Sequence, residues 1–588
     1  MSIGKQMKMK PMMISYCSFY TIIKKIKYKQ MKKIILFVFV TLLVISCEKE
    51  LDIEPQGSLV EGVIEFNKEW VDQQLISAYA ILDGNPGYFW APASNWALGD
   101  VASDDFHKGS SIDDQPQLND VERFSSGTTN IYLSRKWESL FEGISRTNQT
   151  IESITKAIEK GTLEEDLTVL GAEARFLRAH YHMDAKKIWN NIPFMKEGLT
   201  TTPSNDTDIW PQIEEDLTYA INNLPESQDD AGRATSWIAK AYLAKAHMFQ
   251  NDYTAARPIL DNIINEGPFQ LVPNYHDNFN AEKDNNSESV FAVQNSVNDG
   301  GDGFINGNRG NRLNHPYAPD APGGGCCGFF QPSQNLVNAF KTDVNGLPLL
   351  DAFNDSDITN DQGITSDQPF TPYTGNLDPR LDWTVGRRGI EYLGWGIMPG
   401  SRWTRDQSNG GPYVGKKHEI LKSQEGSMSA AGLPQYNAIN TPLIRYSDVL
   451  LWRAEVYAQD GQLTDAMNLV NRIRARAANP DGFVKNPDGT PAANYVINEY
   501  TSFPDQEYAI KAVRFERRLE LASEGHRFFD LVRWGVAPQV LNKYISEESS
   551  KRVYLNGASF TQGKSEYYPI PLDAINSSGG ALKQNSGY

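Results

Sequence analysis

Two stretches of this 588-residue chain repeat one design, and that design restricts the fold more tightly than any other feature. Residues 239–264 carry Ala241, Ala244 and Met248, a turn at Asn251-Asp252, and then Ala255, Ala256, Ile259, Leu260 and Ile263. Residues 450–477 carry Leu451, Ala454 and Tyr457, a turn at Asp460-Gly461, and then Ala466, Leu469, Val470 and Ile473. The spacing predicts one helix on either side of each turn. Small residues at the crossing let the two helices approach closely, and each hairpin keeps an apolar stripe that a neighbour must cover. Helical segments at 169–189 and 210–223 supply such neighbours.

Both hairpins are similar to tetratricopeptide units, which predicts a mainly α fold: tetratricopeptide-like helical hairpins in a single compact body, with long irregular loops and minor β. No Pro/Ser linker or low-complexity tract divides the chain. Residues 298–328 and 346–432 break the helical pattern with Gly, Asn, Pro and Asp every few residues. Loops this long inside a compact chain are usually functional.

The N-terminus reads as an address. Residues 31–47, MKKIILFVFVTLLVISC, place two lysines before a largely apolar run from Ile34 to Ile45 and end on a cysteine. As a helix that run spans about 18 Å, short of the roughly 30 Å of bilayer hydrocarbon, so a signal peptide is expected rather than an anchor helix. Val44-Ile45-Ser46-Cys47 resembles a bacterial lipobox, which implies cleavage before Cys47 and its acylation. Residues 1–30 precede a better start at Met31. The expected division is an upstream extension (1–30), a lipoprotein signal peptide (31–46) and one body (47–588).

Residues 1–46 hold nine lysines and no acid or arginine, so their removal carries the net charge from −17 to −26. Phosphate backbones would be repelled, and no basic run is dense enough to reverse this; no nucleic-acid partner is expected. Anionic lipid would be repelled too, which leaves anchoring to the acyl chains of Cys47.

With Cys17 in the leader and Cys47 acylated, the remaining thiols are the adjacent Cys326 and Cys327. Neighbouring Cα atoms lie about 3.8 Å apart across a trans peptide, below the roughly 4.4–6.8 Å usual for disulfides, so a bond here requires a distorted or cis peptide. The glycines around them tolerate that; the alternative is two reduced, half-buried residues. A pair alone is too few ligands for structural zinc.

Trp and Tyr rings beside amides, carboxylates and guanidinium groups suit a sugar, whose C–H faces stack and whose hydroxyls need partners. Three loops supply them. Residues 88–107 carry Trp90, Trp96, Asp104 and Asp105. Residues 298–330 carry Phe304, Asn306, Asn308, Arg309, Cys326, Cys327, Phe329 and Phe330. Residues 390–405 carry Tyr392, Trp395, Arg402 and Trp403. Each aromatic could equally cover a core edge. Catalysis is less well served. Neither Asp104 with Asp105 nor Glu520 with Glu524 has the placement of a glycosidase pair, and His526 with Asp530 lacks a nucleophile. Residues 354–361, NDSDITND, offer oxygen ligands but lack the glycine and glutamate of an EF-hand loop, so no cofactor is expected and calcium is at most a possibility.

Residues 513–535, VRFERRLELASEGHRFFDLVRWG, are the densest block. Phe515, Leu519, Ala522, His526 and Phe529 form one expected buried stripe with charges around it, and Gly525, costing about 1 kcal/mol inside a helix, predicts a break before a second helix over 526–534. This block closely resembles the C-terminal signature of the SusD/RagB family of Bacteroidetes surface lipoproteins. EARFLRAHYHMDAKKIWNNIPF from Glu173, GFFQPSQNLVNAF from Gly328, DPRL from Asp378, LIRYSDVLLWRAEVYAQDG from Leu443 and IPLDAINSSGGALKQNSGY from Ile570 are similar to family blocks in family order.

The resemblance implies a binding protein rather than an enzyme, one that captures a glycan at the cell surface and passes it to a SusC-like TonB-dependent transporter in the outer membrane. It implies a ligand site built from the early loop and the loop before GFFQPSQNLVNAF. The acidic CEKE at the mature start resembles the family's signal for the outer face. Alternatives are a structural lid with a peptide ligand or none, and a surface glycoside hydrolase.

Overall fold

The computed structural model describes residues 64–85, 90–301 and 306–588; the leader, Cys47 and Phe304 lie outside them. Helix α1 (Lys68–Tyr79) begins where the Asn67 side chain accepts from the Trp70 N–H at 2.9 Å. It packs on α2 (Ile131–Glu159), which packs on α3 (Glu164–Trp189). The stacking then runs consecutively through α4 (Trp210–Asn223), α5 (Ser236–Phe249) and α6 (Tyr253–Glu266). The first expected hairpin is α5–α6. Asn251 turns the chain with φ 57°, and the Asp252 carboxylate accepts from the Ala255 N–H at 3.0 Å.

The second expected hairpin is α7 (Tyr446–Gln459) with α8 (Leu463–Ala477), turning at Gly461. Helix α6 packs directly on α7 although residues 267–445 lie between them in sequence, and α9 (Gln506–Leu521) covers both α7 and α8. Helices α10 (Arg527–Arg533) and α11 (Ala537–Glu548) follow. The described body is thus mainly helical, as the spacing predicts.

Among the described residues the strands form four antiparallel ribbons. They pair β1 (Phe106–Gly109) with β3 (Phe329–Pro332), β2 (Ser289–Val293) with β8 (Thr441–Arg445), β4 (Val385–Gly386) with β5 (Val414–Gly415), and β6 (Ser429–Ala430) with β7 (Leu433–Asn437). The β2–β8 ribbon joins the start of the 267–445 insertion to its end. Within the insertion Tyr392, Leu393, Met398, Trp403 and Val414 form a small second core under Ala318 and Ala321, separate from the main core of the helices.

The signature block departs from expectation in one respect. Phe515, Leu519, Ala522 and Phe529 are buried and His526 is only half-buried, but Glu516, Arg517, Arg518, Glu520, Glu524 and Asp530 are buried as well. Those charges do not surround a stripe; they are its partners. Arg445 reaches Glu288 at 2.6 Å, Glu520 at 3.0 Å and Glu524 at 2.8 Å. Arg380 reaches Asp378 at 2.8 Å, Glu516 at 2.7 Å and Glu520 at 3.1 Å. Arg474, Arg476 and Lys417 complete the set on Glu516, Glu288 with Glu520, and Glu524. Five cations meet five carboxylates. Removing charges from water costs several kcal/mol per ion, and only a fully paired set offsets that. The DPRL, LIRYSD and signature blocks therefore meet in one place.

Gly525 does break the helix, with φ 76°. Its N–H donates to Asp100 Oδ2 at 2.8 Å, and a Cβ on it would run into the Ser94 carbonyl oxygen. The break binds the early loop to the signature, and a side chain there would push them apart.

Candidate functional site

The structure separates the sequence-expected site residues into core and surface. Trp96 is only 1% exposed; its indole N–H donates to the Gly310 carbonyl at 3.0 Å and its ring meets Phe330 at 5.5 Å. Phe329, Phe330, Tyr392 and Trp403 are equally buried, Trp403 edge-on to Tyr392 at 5.2 Å. These rings fill space under the loops and do not face a ligand. Asp104 and Asp105 are also corrected to interior roles. Asp104 pairs with Arg527 at 2.8 Å and with Arg518 at 3.1 Å, and Asp105 pairs with Arg518 at 2.6 Å. Burial would raise Asp104, but the two guanidinium groups outweigh it and hold the carboxyl well below its usual range.

The amides are framework too. Asn308 donates to the Ile439 carbonyl and to Thr441 Oγ1, each at 3.1 Å, and Arg309 holds Asp83 at 2.9 Å. Asn306 is buried, with its Oδ1 unpartnered among the described residues. Asn354 and Asp357 accept from the Asn338 amide at 2.7 and 2.8 Å, and no cluster of three metal-ligating side chains occurs among the described residues.

What remains at the surface forms a strip. Cys326 and Cys327, half-exposed, are joined by a disulfide across a cis peptide. A Cβ on the next residue, Gly328, would touch Tyr317 Cβ and Arg405 Cβ, each at 3.3 Å. Tyr317 is 41% exposed, and the Arg405 guanidinium lies 5.0 Å from its ring centre. Arg405 also pairs with Asp114 and donates to Ser110 Oγ at 2.8 Å. Beside Asp114, the Gln115 side-chain Oε1 accepts from the Trp90 indole at 3.4 Å. Two partly open rings thus stand at the ends of a run of carboxylate, guanidinium and amide groups, with the buried Ser110 hydroxyl beneath. Trp395 is half-buried on the second core, its indole donating to Ile420 O at 3.1 Å and its face covered by Lys422 Nζ at 3.9 Å. Arg402 is exposed and pairs with Asp320 at 2.6 Å.

Tyr317, Arg405, Asp114 and Gln115 are not among the residues the sequence singles out. The available signal is that Tyr317 and Arg405 stand in loops already marked by composition.

The SusD family model matches residues 287–588, and a model described as starch-binding, associating with outer membrane, matches residues 51–248. The chain belongs to the SusD family. SusD-like protein P25 of Formosa agariphila is 24% identical over 548 residues, covering 87% of this chain and 91% of that protein. A laminarin-binding SusD-like protein of solved structure superposes with a TM-score of 0.64 at 24% identity, covering 89% of this chain and all of that one. Surface glycan-binding protein A from Bacteroides thetaiotaomicron, solved with laminarihexaose, superposes with a TM-score of 0.63 at 22% identity, covering 88% and 99%. As a member of this family the chain is not an enzyme. The carboxylates considered for catalysis have other work, since Asp104, Asp105, Glu520 and Glu524 all neutralise buried cations.

Proposed function

We propose that this protein is a surface lipoprotein of the outer membrane that binds an oligosaccharide or polysaccharide and delivers it to a SusC-like TonB-dependent transporter. In this reading residues 31–46 are the removed leader, residues 1–30 precede the true start, and acylated Cys47 holds residues 47–588 on the exterior face. The observation that carries the binding half is the strip from Trp90 to Tyr317 and the Cys326–Cys327 ring. It offers aromatic faces for the sugar rings, with Arg405, Asp114 and Gln115 between them for the hydroxyls. Trp395 is a second platform once Lys422 swings aside. The relatives' ligands, laminarin and laminarihexaose, support a glycan as the ligand class. The outer-membrane description of the family model and the lipobox support the location.

The test is affinity electrophoresis of the chain from residue 48 onward through gels cast with laminarin and with a panel of plant, algal and host polysaccharides. Retardation is expected in at least one gel, with Trp90→Ala and Tyr317→Ala each weakening binding about tenfold, ~1.4 kcal/mol. Retardation unchanged in both variants would move the site elsewhere. Migration unaltered in every gel would leave a structural lid or a non-glycan ligand.

A further inference from the structure

The interior charges of this protein balance in one cluster and fail to balance in the next. The network around Glu520 sets five carboxylates against five cations. Beside it, two lysines converge on one aspartate and a third lies close by without an ion pair. Lys136 of α2 and Lys187 of α3 both contact Asp184, at 2.9 and 2.5 Å. Lys245 of α5 is 8% exposed; its ammonium donates to the Leu443 carbonyl at 3.4 Å and lies 5.6 Å from the Tyr242 ring centre, with no ion pair among the described residues. The other carboxylates near them are held by other cations: Asp83 by Arg309, Glu524 by Arg445 and Lys417, and Asp448 by Arg517, which it shares with Asp530; Asp448 and Asp184 oppose the effect of burial on Lys245 without contacting it. His180, among the three lysines, carries no compensating charge; burial pushes it down to about 3.

Lys245 faces a cavity of about 30 Å³ between α3, α5, β8, the early loop and the Gly525 turn. Ser94, Lys187, Tyr242 and His526 share its wall with two carboxylates, Asp184 and Glu524, each already paired with two cations. The Ser94 hydroxyl is buried and has no hydrogen-bond partner among the described residues. A void of this size takes only one or two water-sized occupants. Neutral water would satisfy the hydroxyl and leave the Lys245 ammonium without an ion pair.

We infer that this cavity is a binding site for one small monovalent anion of halide size, held by the Lys245 ammonium and the Ser94 hydroxyl with Lys187 beside them. The volume excludes sulfate, phosphate and organic acids. With the cavity empty, burial and the neighbouring Lys187 push Lys245 down to about 7; an anion opposes both effects and keeps the amine charged. The ion then ties the helical array to the early loop and the signature turn, so halide stabilises the folded chain by mass action.

Crystals of the mature chain soaked in sodium bromide would be measured at the bromine edge. An anomalous peak in contact with Lys245 Nζ is expected; density without anomalous signal would mean water and a neutral lysine, and would overturn the site. In parallel, thermal unfolding would be followed in sodium chloride and in sodium gluconate at matched ionic strength. The wild type should gain a saturating rise in Tm specific to halide, and Lys245→Met should lose it. An equal rise in both proteins, or none in the wild type, sinks the proposal. The bromide measurement needs no variant, so it decides the matter even if Lys245→Met fails to fold.

Discussion

Glu520 accepts from Arg380, Arg445 and Arg476 and has no water-facing surface. Burial would raise its pKa, but Arg476, Arg445 and Arg380 outweigh that and hold it well below the usual range; Asp530 behaves likewise between Arg517 and Arg533. Both carboxylates are depressed in the folded state. Their contribution is therefore complete above the unfolded pKa of about 4 and is lost as pH falls toward the folded values. The Tm measured against pH should be level through the neutral range and fall steadily below about pH 4. Glu520→Gln should cost about 3–5 kcal/mol at neutral pH, because it strands buried guanidinium groups, and should flatten the acid limb. Urea titrations at pH 7 and pH 3 check both. A variant as stable as the wild type at pH 7 would show the network to be solvated.

At the scale of elements, the hairpins are legible because their apolar spacing and turn residues agree with each other. The longest helix is not. Residues 131–159 contain Gly143 and a run of Ser, Thr and Asn that compete with the backbone for hydrogen bonds. What holds α2 is tertiary: the ring of Tyr181 on α3 sits where a Cβ of residue 143 would be. The loop aromatics fail for a related reason. A tryptophan free to stack on a ligand and one that props a loop from beneath carry no distinguishing mark in sequence, and the fold alone sets half-buried Trp90 apart from buried Trp96 and Trp403. The Gly525 break was readable, but its partner Ser94 was not, since only the folded chain brings them together. Gly525→Ala should destabilise by about 2 kcal/mol or more, through both the positive φ and the clash with Ser94. A loss below about 0.5 kcal/mol by denaturant titration would mean that the early loop yields without cost.

For the whole molecule, charge and address work together. In the proposed reading, removal of residues 1–46 leaves a net charge of −26 that anionic lipid repels, so attachment would rest on an acylated Cys47. Cys47→Ala should move the protein from the membrane pellet to the soluble fraction of its host, read by fractionation and immunoblot. Retention in the pellet would refute lipid anchoring and point to protein contacts instead.

Residues 267–445 read as a parenthesis in the helical sentence. The array continues from α6 to α7 across them, and the β2–β8 ribbon closes the brackets. Text inside a parenthesis can be rewritten while the grammar outside stands. In the proposed reading, a lineage bearing this frame can exchange what it captures by editing the aside together with the early loop that carries Trp90 and Asp114, as long as the words that touch the brackets, Glu288 and Arg445 among them, are kept.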